Sequence, residues 1–479
     1  MTEFTRIARD MPACRKPPGR QLPKRRSNPA APLVAGLTIR SRLILEKQMS
    51  ALIVRPGSAA YWFKGLLAGA ALLLAACQTA PITPAPSDDT PAGQNWVASW
   101  ASSPSLPLAA GSAPPGMVPV VLEGTVRYQM RVSAGGERVR IVLDGGASVP
   151  QVSVGAATIA LVKEGKIDIE SPQKLTFSGA ADGLSLAAGA PLWSDPVALS
   201  IPDGGIVAVS LYLREPVQVP QADPQLIVAV APGGDQTAAA ELTGSKSLVA
   251  RPLVTAIHVD NPEVSRVIVA FGDSITDGTG SRDPLMRGWP DYLAERLRAE
   301  GMNHVAIVNH GIGGNRLLQD SVGQSALARL DRDALAMPGV TDLILLEGIN
   351  DLGLSGLTLP GMSEPFPAVG AQDIIAAYTQ IIQRAHAKGI RVIGATLTPD
   401  LGSPFPGYAT EEKDVIRNEI NEWIRNSGAF DAVIDFDAAV RDPENPAYLL
   451  KAYDAGDRIH PSDTGYKAMA DAIDLDLFR

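Results

Sequence analysis

Cysteine is scarce in this sequence, and its scarcity excludes two ways of stabilising a fold. Cys14 and Cys77 are the two cysteines among 479 residues. Cys14 lies in an N-terminal segment that we expect to be removed, and an internal disulfide cannot form from the single cysteine that remains. A cysteine-based zinc site is excluded for the same reason. The protein must therefore be held by its core, and a 46% hydrophobic composition is sufficient for a large one.

Basic residues are also scarce beyond position 64. Residues 1–64 contain 13 of the 42 Lys and Arg residues but 3 of the 51 Asp and Glu residues, which leaves 29 basic against 48 acidic residues in the remainder. Binding to nucleic acid requires a basic surface that neutralises phosphates. We therefore expect no nucleic-acid partner.

A long apolar run is missing where the N-terminal segment ends. Lys64 is followed by the uncharged stretch 65–76, which is shorter than the roughly 20 residues of a membrane-spanning helix. A basic flank, a short apolar region and small residues are typical of a secretory signal. The run Leu74-Ala75-Ala76-Cys77 also resembles the bacterial lipobox, in which the cysteine becomes a lipid-modified N-terminus.

We therefore expect residues 1–76 to be a signal region and Cys77 to attach the exported protein to the bacterial cell envelope, at the outer membrane or the periplasmic face. The alternative is an ordinary signal peptide with a chance cysteine. Met49 directly precedes a signal of normal length, so an over-called start is one interpretation of residues 1–48. Residues 77–95, rich in Pro, Thr, Ala and Asp, are typical of an extended tether.

Residues 96–258 have the pattern of a β-rich accessory domain. Short apolar runs are separated by Gly, Pro and Asp, and no helical period is evident. Val126, Tyr128 and Met130 alternate with polar residues, and alternation resumes at Val139 after the sequence SAGG. We interpret this stretch as a β-hairpin with one solvent-exposed face, within a β-sandwich or jelly-roll-like domain.

Residues 262–479 follow a different pattern. Short apolar runs that do not alternate (RVIVAF, VAIVN, DLILLE, IRVIGATL and AVIDF) are separated by amphipathic helical stretches. Strands of this kind are buried on both faces, so the pattern predicts a parallel sheet covered by helices. The fold class is therefore α/β for this part of the chain.

Polar residues follow the predicted strands. Gly272-Asp273-Ser274 comes after the first, His310 and a glycine-rich block ending in Gly314-Asn315 come after the second, and Asn350-Asp351 comes after the third. The segment Asp457-Arg458-Ile459-His460 precedes the final helix. Because ligands bind beyond the carboxyl ends of parallel strands, we expect these residues to converge at one edge of the sheet.

These residue types together suit nucleophilic catalysis. Ser274 is a weak nucleophile until a base takes its proton, and His460 is the natural base. Asp457, three residues earlier, can hold the imidazole in the required tautomer. Oxyanion donors are available from the backbone N–H groups of Ser274 and Gly314 and from the side-chain amide of Asn350. We name Asp273, Asn315 and His310 as possible pocket residues.

Competing motifs are missing from the sequence. No HExxH, HxH or paired-histidine spacing indicates a metal site, and no Walker or dinucleotide fingerprint indicates a nucleotide cofactor. Ser274 also lacks the G-x-S-x-G elbow that is typical of the α/β-hydrolase fold. Arg316 could contact an acidic group on a substrate, but we expect a surface salt bridge.

The four blocks GDS, GGN, GIND and DRIHP, in this order from Arg266 to the C-terminus, resemble those of the SGNH hydrolases, also called GDSL esterases and lipases. The first block reads GDSI rather than GDSL. The resemblance implies a three-layer α/β/α, flavodoxin-like domain that hydrolyses esters without a cofactor. It also implies Ser274 as nucleophile, Ser274, Gly314 and Asn350 as oxyanion donors, and His460 paired with Asp457. The N-terminal half resembles the β-rich domain of some secreted members.

We therefore interpret the chain as a serine ester hydrolase of the cell envelope, bound to the membrane through Cys77, with no metal. Its expected substrates are O-acyl groups, acetyl above all, on carbohydrate or other small esters. A lipase or phospholipase, a thioesterase, acyl transfer to another acceptor, and a non-catalytic glycan-binding lipoprotein remain alternatives.

Overall fold

The computed structural model describes residues 94–479, apart from residues 105–118, 147–148, 150, 164, 168–171, 181–182, 221–226, 284, 287 and 361. The predicted signal region, Cys77 and the tether up to residue 93 lie outside the described residues. The described residues belong to one compact unit that spans positions 88–479.

The first part of the described chain forms two antiparallel sheets. The first sheet contains β1 (Trp96–Ala101), β3 (Gly136–Leu143), β8 (Leu192–Trp193), β9 (Val197–Ile201) and β13 (Val254–Asp260). Its order is β1-β13-β3-β8, and β9 also pairs with β3. The second sheet contains β2 (Val120–Arg131), β4 (Gln151–Lys163), β5 (Lys166–Ile167), β6 (Gln173–Lys174), β7 (Leu184–Ala187), β10 (Ile206–Val219), β11 (Ile227–Ala231) and β12 (Lys246–Val249). Its order is β12-β11-β2-β10-β4-β5, with β6 and β7 also on β4.

The predicted hairpin between β2 and β3 is wrong, although both strands exist. β2 pairs with β10 and β11, whereas β3 pairs with β13, β8 and β9. The sequence SAGG takes the chain from one sheet to the other. At this corner Gly135 passes so close to the backbone that a Cβ would lie 2.1 Å from the carbonyl oxygen of Ile201. The glycine that suggested a tight turn therefore serves a close backbone contact instead.

From residue 266 onward the chain forms a parallel sheet covered by helices, as predicted. The strands are β14 (Arg266–Gly272), β15 (Val305–Gly311), β16 (Val340–Leu346), β17 (Arg391–Ala395) and β18 (Ala432–Ile434), in the order β15-β14-β16-β17-β18. This is the flavodoxin-like order, in which the second strand lies on one side of the first and the third on the other. β14 is buried from its second residue, because neighbours cover both faces.

The helices of this part fill the connections between strands. They are α1 (Ser274–Asp277), α2 (Trp289–Ala299), α3 (Ala326–Leu330), α4 (Ile349–Leu354), α5 (Ala371–His386), α6 (Glu411–Asn426), α7 (Phe436–Val440) and α8 (Asp463–Asp471). A π-helical stretch (Asp331–Leu335) continues α3, and a 3₁₀ turn (Leu475–Phe478) ends the chain. α5 buries Ile374, Tyr378 and Ile381 along one stripe, which is the pattern that predicted it. Among the described residues, no helix is both long and apolar enough to cross a membrane.

The β-rich part packs against the edge of the parallel sheet. β1 lies beside the edge strand β15. The backbone N–H of Ala98 donates to the carbonyl oxygen of Pro338 at 3.0 Å, and the N–H of Ile307 donates to the hydroxyl of Ser133 at 3.1 Å. An unpaired strand edge is open to association with other chains, and here the antiparallel sheet covers it.

Candidate active site

Three neighbouring strands bring the predicted residues together. β14 lies between β15 and β16, so the carboxyl ends of these three strands are adjacent. Ser274 follows β14, Gly314 follows β15 and Asn350 follows β16. After β14 the chain forms β15 on one side of it and then β16 on the other. Open α/β sheets bind ligands at the carboxyl ends of the strands where the strand order reverses in this way.

A single short turn fixes the position of Ser274. Asp273 caps α1, because its Oδ1 accepts a hydrogen bond of 2.9 Å from the N–H of Ile275. The helix ends after four residues at Gly278, whose φ of 98° is in the left-handed region. Ser274 is therefore the first residue of a one-turn helix that begins where a buried strand ends.

A chain of hydrogen bonds joins Ser274 to Asp457 through His460. The Nε2 of His460 lies 2.8 Å from the Oγ of Ser274, and its Nδ1 lies 2.6 Å from the Oδ2 of Asp457. The other carboxylate oxygen of Asp457 accepts the backbone N–H groups of His460 at 2.9 Å and Ile459 at 3.0 Å. The carboxylate thus orients the ring, and the ring can accept the serine proton.

The charge state of Asp457 suits this arrangement. Partial burial raises its pKa, but the hydrogen bond and positive charge of His460 and the two backbone donors outweigh burial and lower the pKa to about 2. Asp457 is therefore ionised at neutral pH and holds the proton of the imidazole on Nδ1.

Gly311 is the last residue of β15, and Gly314 lies in the loop that follows it. A Cβ on Gly311 would lie 2.1 Å from the backbone nitrogen of Asp277, so only glycine lets the end of β15 contact α1. Gly314 has a φ of 71°, a left-handed conformation that glycine adopts without strain.

Asn350 lies in the first turn of α4. Its Nδ2 donates to the carbonyl oxygen of Asn315 at 2.9 Å, and its Oδ1 lies 2.8 Å from the hydroxyl of Tyr408. An amide nitrogen carries two hydrogens, so Nδ2 retains one for a further acceptor. Asn350 can therefore take part in an oxyanion hole while its orientation is held by the protein.

The three residues named as possible pocket residues have buried side chains. Asp273 and Asn315 are 0% exposed and His310 is 3% exposed. The Nδ1 of His310 lies 2.9 Å from the hydroxyl of Ser103, and the side chain of Asn315 bonds to Arg329 and to the carbonyl oxygen of Gln324. The structure therefore places these side chains behind the site and does not bring them into an open cleft.

Arg329, which the sequence analysis did not single out, connects the segments that carry the site. It is fully buried, and its guanidinium lies 4.0 Å from the centre of the Phe271 ring. It donates to Oδ1 of Asn315 at 2.8 Å, Oγ of Ser103 at 3.3 Å, and the carbonyl oxygens of His310 at 2.7 Å and Gly272 at 2.9 Å, and to Asp333 at 3.4 Å. The run ARLDRD that contains it resembles a charged helix surface, so its local pattern carries no signal of this role.

Asp273 and Glu347 are two buried carboxyl groups that interact next to the turn that carries Ser274. Burial raises the pKa of Asp273 to about 7, against the hydrogen bond from Ile275 and the charge of His460. Burial, and then the charge of Asp273, raises the pKa of Glu347 well above its usual value. Arg329 lies 3.8 Å from Glu347, which is too long for a hydrogen bond, so the ion pair does not offset burial. The neutral form of Glu347 is therefore favoured.

Arg316 does not form the surface salt bridge that we expected. It is 0% exposed, its Nε lies 3.7 Å from Oδ1 of Asp351, and the Phe366 ring covers its guanidinium at 4.9 Å. Asp351 in turn accepts the backbone N–H groups of Leu317 and Leu318. The pair fixes the chain that follows the Gly314 loop.

The β-rich part also contacts the residues that support the site. Ser103 reaches both His310 and Arg329, and Arg251 forms an ion pair of 2.5 Å with Asp277, the last residue of α1. Both of these β-rich residues are buried. In the part of the chain that the structure describes, no group of three or more His, Cys, Asp or Glu side chains is arranged to hold a metal ion.

Comparison with known proteins agrees with the resemblance of the four blocks. Residues 270–468 match the GDSL-like lipase/acylhydrolase family. No curated protein sequence matches the chain. Similar solved structures include the lipase/acylhydrolase from Enterococcus faecalis (18% identity, 43% of this chain and 92% of that chain, TM-score 0.33). A member of the lipolytic G-D-S-L family from Veillonella parvula is 21% identical over 44% of this chain and 98% of that chain, with a TM-score of 0.30.

The predicted resemblance is therefore confirmed by the family match, which includes all four sequence blocks. The parallel sheet, the turn that carries Ser274 and the hydrogen-bonded chain from Ser274 to Asp457 all lie within or border on the matched residues. The α/β part of this chain therefore contains a GDSL-like lipase/acylhydrolase domain at residues 270–468, which supports its assignment to the SGNH superfamily.

Proposed function

We propose that the protein is a serine-dependent carboxylic ester hydrolase. The observation that supports this most directly is the pair of short contacts that His460 makes, 2.8 Å to Ser274 and 2.6 Å to Asp457. A binding protein has no need for a nucleophile, a base and an ionised carboxylate in series. The match of residues 270–468 to an acylhydrolase family supports the same reaction class.

The proposed reaction follows from these contacts. His460 takes the proton of Ser274 as Oγ bonds to the ester carbonyl carbon, and the carbonyl oxygen becomes an oxyanion. The N–H groups of Ser274 and Gly314 and the Nδ2 of Asn350 stabilise its charge. When the intermediate collapses, the bond to the alkoxy oxygen breaks and His460 gives its proton to the leaving alcohol. A water molecule, deprotonated by His460, then bonds to the acyl carbon. The bond between this carbon and the Oγ of Ser274 breaks, His460 returns the proton to Oγ, and the acid is released.

The proposed substrates are O-acyl groups, acetyl above all, on carbohydrate or other small esters. This part of the proposal is supported by the expected export to the cell envelope, where acylated glycans occur, and by the β-rich part that accompanies the hydrolase part. A lipase or phospholipase would instead release fatty acids, and a thioesterase would cleave acyl thioesters. The lipid anchor at Cys77 belongs to the same proposal, and it lies outside the described residues.

Hydrolysis of p-nitrophenyl esters from acetate to palmitate, by the full-length protein and by Ser274→Ala, tests the proposal. We expect turnover of the acetate ester and a loss of at least about 10³-fold in the variant. A preference for long chains would favour the lipase alternative. Equal turnover by the variant would refute the serine mechanism. Absence of serine-dependent turnover on every ester, together with binding to a glycan array, would favour the non-catalytic alternative.

A further inference from the structure

Tyr408 is a buried residue beside the site that belongs to none of the four sequence blocks. It lies in the irregular segment between β17 and α6, and 8% of it is exposed. Its hydroxyl lies 2.8 Å from Oδ1 of Asn350, the side chain proposed to hold the oxyanion. The contact joins residues 58 positions apart in the sequence.

The partners of Asn350 determine which way its amide points. The carbonyl oxygen of Asn315, 2.9 Å away, can only accept a hydrogen bond, so the atom that faces it must be Nδ2. The other end of the amide is then Oδ1, which can only accept, so the hydroxyl of Tyr408 must donate to it. The amide orientation follows from donor and acceptor chemistry alone.

Several contacts hold Tyr408 in place. Its ring packs against α4 so closely that a Cβ on Gly353 would lie 2.2 Å from the ring. The Nζ of Lys413 donates to the carbonyl oxygens of Gly353 at 2.8 Å and Gly407 at 2.7 Å, which fastens the Tyr408 segment to the same helix. The tyrosine and the asparagine that it contacts therefore form one packed unit, in which a hydroxyl can fix an amide.

We propose that Tyr408 is a positioning residue of the oxyanion hole and acts through Asn350. By donating to Oδ1 it keeps Nδ2 directed towards the reacting oxygen. It also polarises the amide, so that the N–H of Asn350 donates more strongly when negative charge develops on the substrate. This inference rests on the proposed function and adds a residue to its machinery.

The test compares Tyr408→Phe with Tyr378→Phe, using the full-length protein and p-nitrophenyl acetate. Tyr378 is a matched control, because it is 1% exposed and its hydroxyl donates to the carbonyl oxygen of Glu347 at 2.6 Å without touching Asn350. We expect Tyr408→Phe to lower kcat about tenfold with KM within twofold, since losing a whole oxyanion donor costs about 10²–10³-fold. Tyr378→Phe should retain kcat within about twofold.

A double-mutant cycle separates positioning from a general loss of structure. In an Asn350→Ala background there is no amide left to hold, so Tyr408→Phe should reduce kcat by less than twofold further. A full tenfold reduction in that background, an equal effect of Tyr378→Phe, or wild-type kcat in Tyr408→Phe would overturn the role of Tyr408.

A phosphorylating reagent distinguishes failure of this inference from failure of the proposed function. Diisopropyl fluorophosphate reacts with an activated serine and places its phosphoryl oxygen in the oxyanion hole, and intact mass reports the adduct at Ser274. Equal rates for wild type and Tyr408→Phe would overturn the inference alone. A wild-type protein whose Ser274 neither reacts nor hydrolyses esters would overturn the proposed function and the role of Tyr408 with it.

Discussion

Replacing Arg329 by methionine should damage both stability and catalysis, and the structure indicates how much. Arg329 makes five hydrogen bonds with no exposure to solvent. At about 1 kcal/mol net for each bond, the loss is about 5 kcal/mol, which agrees with the roughly 3–5 kcal/mol for breaking a buried charge pair. Methionine retains the apolar contact with Phe271. The corresponding decrease in Tm is on the order of 10 °C.

Catalysis should decrease because of the partners that Arg329 holds. Two of them are the carbonyl oxygens of Gly272 and His310, at the ends of β14 and β15, and a third is the side chain of Asn315. Releasing them lets the nucleophile turn and the Gly314 loop move apart, and a displacement of about 1 Å costs about 10²-fold in rate. At temperatures below the denaturation range of the variant, we therefore expect kcat for p-nitrophenyl acetate to fall about 10²-fold.

Arg417→Met provides the control for this experiment. Arg417 is 1% exposed and donates to Leu397, Asp414 and Asp437, none of which belongs to the candidate site. The Arg417→Met variant should lose a similar free energy of unfolding but retain kcat within about threefold. If Arg329→Met loses no more kcat than Arg417→Met at equal folded fraction, the proposed connection between the strand ends is refuted.

Asp457→Asn should lower kcat for ester hydrolysis about 10³–10⁴-fold, because an amide cannot hold the imidazole of His460 in the required tautomer. Circular dichroism should show little change in fold. A loss of kcat below tenfold would contradict the role of the carboxylate. Asp273 has a pKa raised to about 7 from 3.8, so the folded state keeps a proton that the unfolded state loses, and stability should decrease as pH rises from about 4 to about 7. Asp273→Asn should flatten the dependence of Tm on pH over that range. If wild type and variant show parallel dependences, the raised pKa of Asp273 is contradicted. Gly311→Ala should cost about 1–3 kcal/mol of unfolding free energy and lower kcat, since its Cβ would meet the backbone of α1; an unchanged Tm would show that the loop can move away freely. Cys77→Ser should move the protein from the membrane fraction to the soluble fraction. An unchanged distribution between the two fractions would contradict a lipid anchor at Cys77.

The parallel sheet and the convergence of the candidate residues could be predicted from local sequence. Strands buried on both faces appear as unalternating apolar runs, and polar residues after three such runs must meet at one edge when the strands are parallel. The contacts that Ser274 and Asp457 make with His460 agree with that reasoning. Ser274 and His460 are 186 positions apart, and only the topology of the sheet brings them together.

The supporting residues could not be predicted, because their roles depend on contacts between distant segments. Arg329 lies in a charged run whose local pattern indicates solvent exposure, yet it is surrounded by the ends of β14 and β15 and by Ser103. Tyr408 lies in an irregular segment, where sequence pattern carries little information about orientation. The hairpin error has the same origin, since alternation indicates which face of a strand is buried but not which strand pairs with it.

The β-rich part makes direct contacts with residues that support the candidate site. Ser103 accepts a hydrogen bond from Arg329, the residue that joins the strand ends, and Arg251 pairs with Asp277 at the end of α1. Without these contacts Arg329 would lose a buried acceptor, and the β15 edge that β1 covers would be exposed. The two sequence patterns therefore describe one packed unit, and substitutions in the antiparallel sheets at Ser103 or Arg251 can alter the geometry around Ser274 without contacting a substrate.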